Sequence, residues 1–292
     1  MHRGVEHIAD RSARVGALGV RRALPTRGHR TVGAWCFADH MGPELLAEGV
    51  DVGIAPHPHI GLQTVTWLFD GELVHRDSLG TEQSIRPGQL NLMTAGHGVS
   101  HAEESPGRRA GALHGVQLWV AQPSGTRAGA AAFEHHGALP VLERRYGTAT
   151  VLIGTLEGTE SPASHDTDHL GVELRITRGP DTIGVAATHE HAVVVVEGAV
   201  TVEGSVVVPG ELAYVAAGRD ELAVSADAPS TALLLGGTPF DESLVMWWNF
   251  VARTREEITQ AHRDWVAHDE RFGTVASSLA RIEIAPPAWA AT

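Results

Sequence analysis

Two stretches of this chain carry the same punctuation at the same spacing, and that duplication constrains the fold more than any other feature. In the first, His57-Pro58-His59 precedes an apolar run ending at Gly71, and Pro87-Gly88-Gln89-Leu90 and Thr94-Ala95-Gly96 follow. In the second, His189-Glu190-His191 precedes an apolar run ending at Gly198, and Pro209-Gly210-Glu211-Leu212 and Ala216-Ala217-Gly218 follow. The proline stands nine residues before the later glycine in both copies, with no gap. A spacing repeated in this way indicates one structural module built twice.

The module is β. The 33 glycines and 15 prolines separate short apolar runs such as Gln63-Thr64-Val65-Thr66-Trp67-Leu68-Phe69, Gly115-Val116-Gln117-Leu118-Trp119-Val120 and Ala192-Val193-Val194-Val195-Val196. Short β-favouring runs between turn residues belong to a sandwich or barrel. The alternating helical segments of an α/β fold are missing. The expected fold is therefore all-β, two β-barrels in tandem with a short C-terminal helix. The expected domains are residues 1–135, carrying a metal, and residues 136–292, a degenerate copy. The polar, small-residue stretch Gln122 to Pro140 reads as the linker between them, with a long surface loop as the alternative. The helix runs from about residue 254 to 268: Thr254 is its N-cap, Glu257 completes a capping box, and Ile258, Ala261, His262 and Trp265 share a face.

Acidic residues total 35 against 22 basic ones, a formal charge of -13, and every basic residue is arginine. Such a chain is a poor candidate for direct nucleic-acid binding or for an anionic membrane surface. The single Cys36, between Trp35 and Phe37, excludes an intrachain disulfide, a thiolate zinc finger or an iron–sulfur cluster, and reads as a small buried hydrophobe. No run of about 20 apolar residues is present to span a bilayer. The N-terminal segment lacks the apolar core of a secretion signal, and the expected location is the cytoplasm. With 18 histidines and one cysteine, any metal must be held by imidazole and carboxylate.

His57 and His59 on one strand point the same way, because side chains alternate with period two. His101 and Glu103 do the same on another strand. Two such pairs facing each other in a barrel supply three nitrogens and one carboxylate oxygen, leaving two positions open at an octahedral ion. Iron, nickel, copper, zinc and manganese all remain open on ligand type alone. In the repeat register, His101 falls opposite Ala223 and Glu103 opposite Ser225, so the second copy keeps only His189 and His191. These two read as hydrogen-bonded polar residues, with a second, weaker metal site as the alternative.

At this point the chain resembles the pirin family. The resemblance rests on His57-Pro58-His59-Ile60-Gly61, Thr64-Val65-Thr66, His75-Arg76-Asp77-Ser78-Leu79-Gly80 and Met93-Thr94-Ala95-Gly96-His97-Gly98-Val99-Ser100-His101-Ala102-Glu103. Gln117-Leu118-Trp119-Val120, Leu235-Gly236-Gly237-Thr238-Pro239 and Asn249-Phe250-Val251 extend it over most of the chain. It implies a bicupin of the cupin superfamily, with one mononuclear Fe(II) in the N-terminal barrel at His57, His59, His101 and Glu103. Where ordinary cupins place a glutamate four or five residues after the His-x-His pair, this chain has Gln63 and Thr64, and Glu103 supplies the carboxylate.

Two functions follow from the resemblance. One is a dioxygenase that opens flavonols such as quercetin with O2 and releases carbon monoxide, Glu103 acting as general base on the 3-hydroxyl. The other is a non-catalytic, redox-sensing regulator that binds a partner protein, such as a metabolic enzyme, through the iron-containing barrel. Several further residues read as follows. His135 and His136 form a solvated turn, and His165-Asp166-Thr167-Asp168-His169 is a polar loop rather than a surface cation site. His75 and Asp77 support the fold or the pocket, and His97 belongs to the rim, with support of the ligand pair as the alternative. Trp247-Trp248 is packing between domains.

Overall fold

The structure, a computed structural model, describes residues 4–16, 18–46, 53–106, 111–145 and 147–290; the first three residues of the N-terminal segment read above lie outside them. The described residues are mostly strand, with one α-helix, Arg255–Val266, and short 3-10 turns at Glu270–Phe272 and Ala288–Ala290.

The chain forms two compact units, each assembled from separated segments. One comprises residues 14–20, 41–135 and 241–292; the other comprises residues 1–13, 21–40 and 136–240. The helix therefore lies in the unit that carries the His57 motif. The six glycines of the repeat explain its spacing: Gly71, Gly88 and Gly96 in one copy, Gly198, Gly210 and Gly218 in the other, all have left-handed φ, from +52° to +113°. Only glycine takes that backbone without a Cβ penalty, so the turn geometry demands the same residue in both copies.

In the motif-bearing unit, the strands Ile54–His59, Val99–Glu104, Leu73–Asp77 and Glu82–Ile85 lie in that order in one antiparallel sheet. A second sheet has Leu62–Asp70 between Leu90–Thr94 and Gly111–Ala121. Val65 lies between Leu92 and Leu118, and Trp67 between Leu90 and Val116, all of them buried. The alternate row is polar and equally buried: Thr66 stands between Asn91 and Gln117. With both faces covered, the strand reads as a continuous run in sequence, and its polar face is the one that meets Glu103.

The other unit has a sheet ordered around Ser230–Gly237, flanked by His169–Ile176 and Glu190–Glu197. Its interior is aliphatic: Leu170, Val172, Leu174, Val193, Val195, Val215 and Leu234 are among the residues of one buried cluster. The same module is thus lined with polar groups in one copy and with Val and Leu in the other.

The helix begins at the expected N-cap. Thr254 Oγ1 accepts a hydrogen bond from Glu257 N–H, and Ile258, Ala261, His262 and Trp265 are the buried face. These side chains join Ile60, Phe250 and Phe272, with Trp247, Trp248 and Trp289 packed against them. The Trp247-Trp248 pair, expected between domains, therefore packs on the helix within the motif-bearing unit; tryptophan contributes large apolar area wherever it is buried.

The Gln122–Pro140 stretch contains the boundary between the two units, at residues 135 and 136. Its first part is bonded to the motif rather than free: Gln122 N–H donates to Gly61 O, Gly96 N–H donates to Gln122 Oε1, and His97 N–H donates to Gly129 O. A Cβ on Gly96 would stand 2.3 Å from Gly129 O, so the approach requires glycine. His135 is not in a solvated turn either. It lies within the strand Ala132–His136, half-buried, its Nδ1 2.7 Å from Asn91 Oδ1. His169, placed in a polar loop from sequence, is buried at the start of its strand, while Asp168 beside it is exposed.

Candidate metal centre

Antiparallel pairing sets His101 directly opposite His57, and a bulge between His101 and Glu103 brings Glu103 level with Ile54. On its other side the same strand pairs His101 with Asp77 and Glu103 with His75. His57, His59 and His101 thereby form a buried group whose ligand atoms lie within 4.8 Å of one another. Glu103 stands outside that group; it forms a second one with His75 and His101. All four expected ligands are buried, at 1–5% exposure.

The hydrogen bonds fix which nitrogen of each ring is free. His57 Nδ1 lies 2.8 Å from Ala55 O, and His59 Nδ1 lies 3.0 Å from Asn249 O. A carbonyl only accepts, so each Nδ1 carries the proton and each Nε2 presents a bare lone pair. His101 reaches the same state through a relay. Asp77 Oδ2 lies 3.0 Å from His75 Nε2 and accepts its proton, which leaves His75 Nδ1 an acceptor. His101 Nδ1, 3.3 Å away, donates to it, and His101 Nε2 is left bare.

The consequence is two unprotonated nitrogens, His59 Nε2 and His101 Nε2, facing each other at 3.1 Å. They repel unless a cation or a proton sits between them. Nitrogens about 2.1 Å from one octahedral ion and at right angles to each other lie about 3.0 Å apart, so the spacing fits shared coordination. Protonation is disfavoured. Burial lowers the His57 pKa to about 4 and, with the nearby His57 ring, lowers His59 and His101 well below the usual range.

Burial also raises the Glu103 pKa, opposed by His75 and by the Thr66 hydroxyl. Thr66 Oγ1 is 3.0 Å from Glu103 Oε1 and 3.0 Å from Gln117 Oε1, so its single proton serves one acceptor at a time. Burial raises the Asp77 pKa in turn, but hydrogen bonds from His75 and Thr81 outweigh it, and Asp77 stays below its usual value. The Leu79 and Thr81 N–H groups donate to its other oxygen. Phe133 stacks on His75 at 4.4 Å between centroids, and Trp119 meets His59 edge-on at 5.3 Å. His97 is exposed, its carbonyl accepting from Arg271 Nε.

The Asn249 carbonyl had no sequence signal as a member of this site. It is held there because Phe250 bridges Ile60, the residue after His59, while Val251 N–H donates to Ile60 O. The role of Thr66 was equally hidden, since a threonine in a β run ordinarily reflects strand propensity alone.

The family model "Pirin" matches residues 17–120, and the model "Pirin C-terminal cupin domain" matches residues 172–273. The chain belongs to the pirin family. The fold is accordingly the all-β bicupin that the repeat and the resemblance led us to expect. A "Putative quercetin 2,3-dioxygenase" of Pseudomonas aeruginosa is 42% identical over 289 residues, 98% of this chain and 91% of the relative. The crystal structure of quercetin 2,3-dioxygenase from Acinetobacter baumannii is similar to this pirin with a TM-score of 0.94 and 39% identity, covering 97% of this chain and 95% of that one. A bacterial pirin of Escherichia coli, solved in complex with nickel(II), shares the fold at a TM-score of 0.66 and 18% identity, covering 81% of this chain and all of that one. Among the described residues, no helix is long and apolar enough to cross a membrane.

Proposed function

We propose that this pirin holds one iron(II) ion at His57, His59, His101 and Glu103 and opens flavonols such as quercetin with dioxygen. The observation that carries the metal is the pair of bare Nε2 atoms of His59 and His101, 3.1 Å apart, in rings whose other nitrogens are already engaged. The flavonol comes from the names borne by the Pseudomonas and Acinetobacter relatives.

The bound ion supplies Lewis acidity that eases loss of the flavonol 3-hydroxyl proton, together with redox access to dioxygen. Glu103 takes that proton. The Thr66 hydroxyl orients the carboxylate by donating to Oε1. The three histidines, neutral and locked in one tautomer, would hold the ion without adding charge to it. The buried polar row of Thr66 and Gln117 holds the site's geometry from beneath.

Iron-loaded protein, with iron verified by elemental analysis, should bleach quercetin in air and not under anaerobic conditions. Oxygen-independent or absent bleaching at full iron occupancy would remove the dioxygenase assignment.

The burial of all four ligand side chains supports a second reading, in which the iron reports redox state and a partner protein such as a metabolic enzyme reads the surrounding surface. Equal partner recovery from pull-downs with the ferrous and ferric forms would count against it.

A further inference from the structure

The aliphatic barrel contains a polar group that its surroundings do not satisfy. His191 is 0% exposed and lies opposite Val215 and Gly236, in the inward row with Val193 and Val195. Neither of its ring nitrogens has a hydrogen-bond partner. A buried donor or acceptor left unpaired is costly, so an imidazole in a valine-rich interior needs a reason to be there. The ring is closely seated: a Cβ on Gly236 would stand 2.7 Å from His191 Cδ2.

His189, two residues earlier, has the same parity and is also buried, with the two ring centroids 6.0 Å apart. Asp168 Oδ2 lies 2.9 Å from His189 Nε2 and accepts from Thr238 Oγ1 at 3.1 Å. Its contact with His189 holds the Asp168 carboxyl below the usual range. Both His189 ring nitrogens are buried without a partner in hydrogen-bond geometry, so the Asp168 carboxylate approaches Nε2 as a charge and leaves Nδ1 free. A carboxylate orienting a histidine whose other nitrogen is free is a recurring support for a metal ligand. The Asp168 side chain is 72% exposed and that of His189 8%, so Asp168 meets the buried ring from the solvent side.

We infer that His189 Nδ1 and a ring nitrogen of His191 form a second divalent-metal site in this chain, with Asp168 as the positioning residue. Two neutral imidazoles and water suit a borderline dication such as zinc, nickel or copper. The site is weaker than the first. It offers two protein ligands instead of three or four, and its rings are farther apart than the 4.4–5.0 Å centroid spacings of His57, His59 and His101.

Equilibrium dialysis of the full chain against zinc tests this. Wild type should take up two ions in two steps of different affinity. His101→Ala should lose the tighter one and His191→Val the weaker one, and the double variant should lose both. Asp168→Asn should weaken only the second step, by about 10- to 100-fold. Valine matches the interior around His191, so the metal-free His191→Val protein should melt no lower than wild type. If that variant does not fold, His189→Asn takes its place. Zinc uptake by His191→Val or His189→Asn identical to wild type across the titration overturns the inference, and the His101→Ala arm reports separately on the first site.

Discussion

His75 Nδ1 and His101 Nδ1 face each other at 3.3 Å, and the Asp77 carboxylate on the far side of the His75 ring decides which of them carries the proton. The chain Asp77–His75–His101 therefore sets the tautomer of a proposed metal ligand from two residues away. His75→Gln and Asp77→Asn should each lower metal affinity by about 10- to 100-fold while the fold persists. Competition against a chelator of known affinity measures this. Histidine nitrogen shifts in the metal-free protein give the second readout: His101 should lose its Nδ1–H preference in both variants. Unchanged shifts and affinity would show that the relay is only packing.

Glu103 and His101 share a strand face and are both proposed ligands, but they fall in different side-chain groups. His101 contributes to the three-histidine group, while Glu103 groups only with His101 and His75. Glu103→Gln should therefore keep most of the metal and lose catalysis, with kcat for quercetin down by about 10²- to 10⁴-fold. His101→Ala should lose the metal itself. Elemental analysis beside oxygen-consumption kinetics separates the two, and a Glu103→Gln protein with undiminished kcat would take the proton-transfer role from this residue.

The parts of this molecule that sequence revealed are those written in local periodicity. Alternation put His57 beside His59 and His101 beside Glu103, and the repeat glycines marked turns because positive φ leaves little other choice. The helix announced itself through Thr254 and Glu257. The rest depends on long-range contacts with no local pattern. The Asn249 carbonyl reaches His59 across 190 residues of sequence. Asp168 reads as loop polarity until the fold brings it to His189. The Gln122 stretch looks like a linker because its composition is polar and small, yet its bonds to Gly61 and Gly96 bind it to the motif.

Glu242 gives a pH-dependent prediction away from the metal. Burial raises its pKa, but Ser124 N–H and Oγ–H and the Arg253 guanidinium all donate to it, and the net effect holds it at about 2. The folded pKa lies below the unfolded one, so the unfolded chain binds the proton more readily between the two values. The contribution is thus fully present above pH 4.5 and is lost as pH falls towards 2. Its size is on the order of 1 kcal/mol once screening of a partly exposed group is discounted. In urea titrations, Glu242→Gln should be less stable than wild type at pH 7, and the gap should close on acidification through that window. A gap independent of pH would assign the loss to packing.

Trp265 ties the helix to the strand that carries His57. Its indole Nε1 donates to Ile282 O at 2.9 Å, and Ile282 N–H donates to Pro56 O at 2.9 Å. The ring is buried against Phe272 and Trp248. Trp265→Phe keeps much of the apolar contact and loses the hydrogen bond, for a loss of about 1 kcal/mol. Trp265→Ala also opens a cavity, for about 3–5 kcal/mol. Both should appear as lower urea midpoints at constant m-value. Trp265→Phe should retain full metal, because His57 Nδ1 is held by Ala55 within its own strand and not by the tail. Metal loss in Trp265→Phe would mean that the tail, through Pro56, sets the His57 position after all.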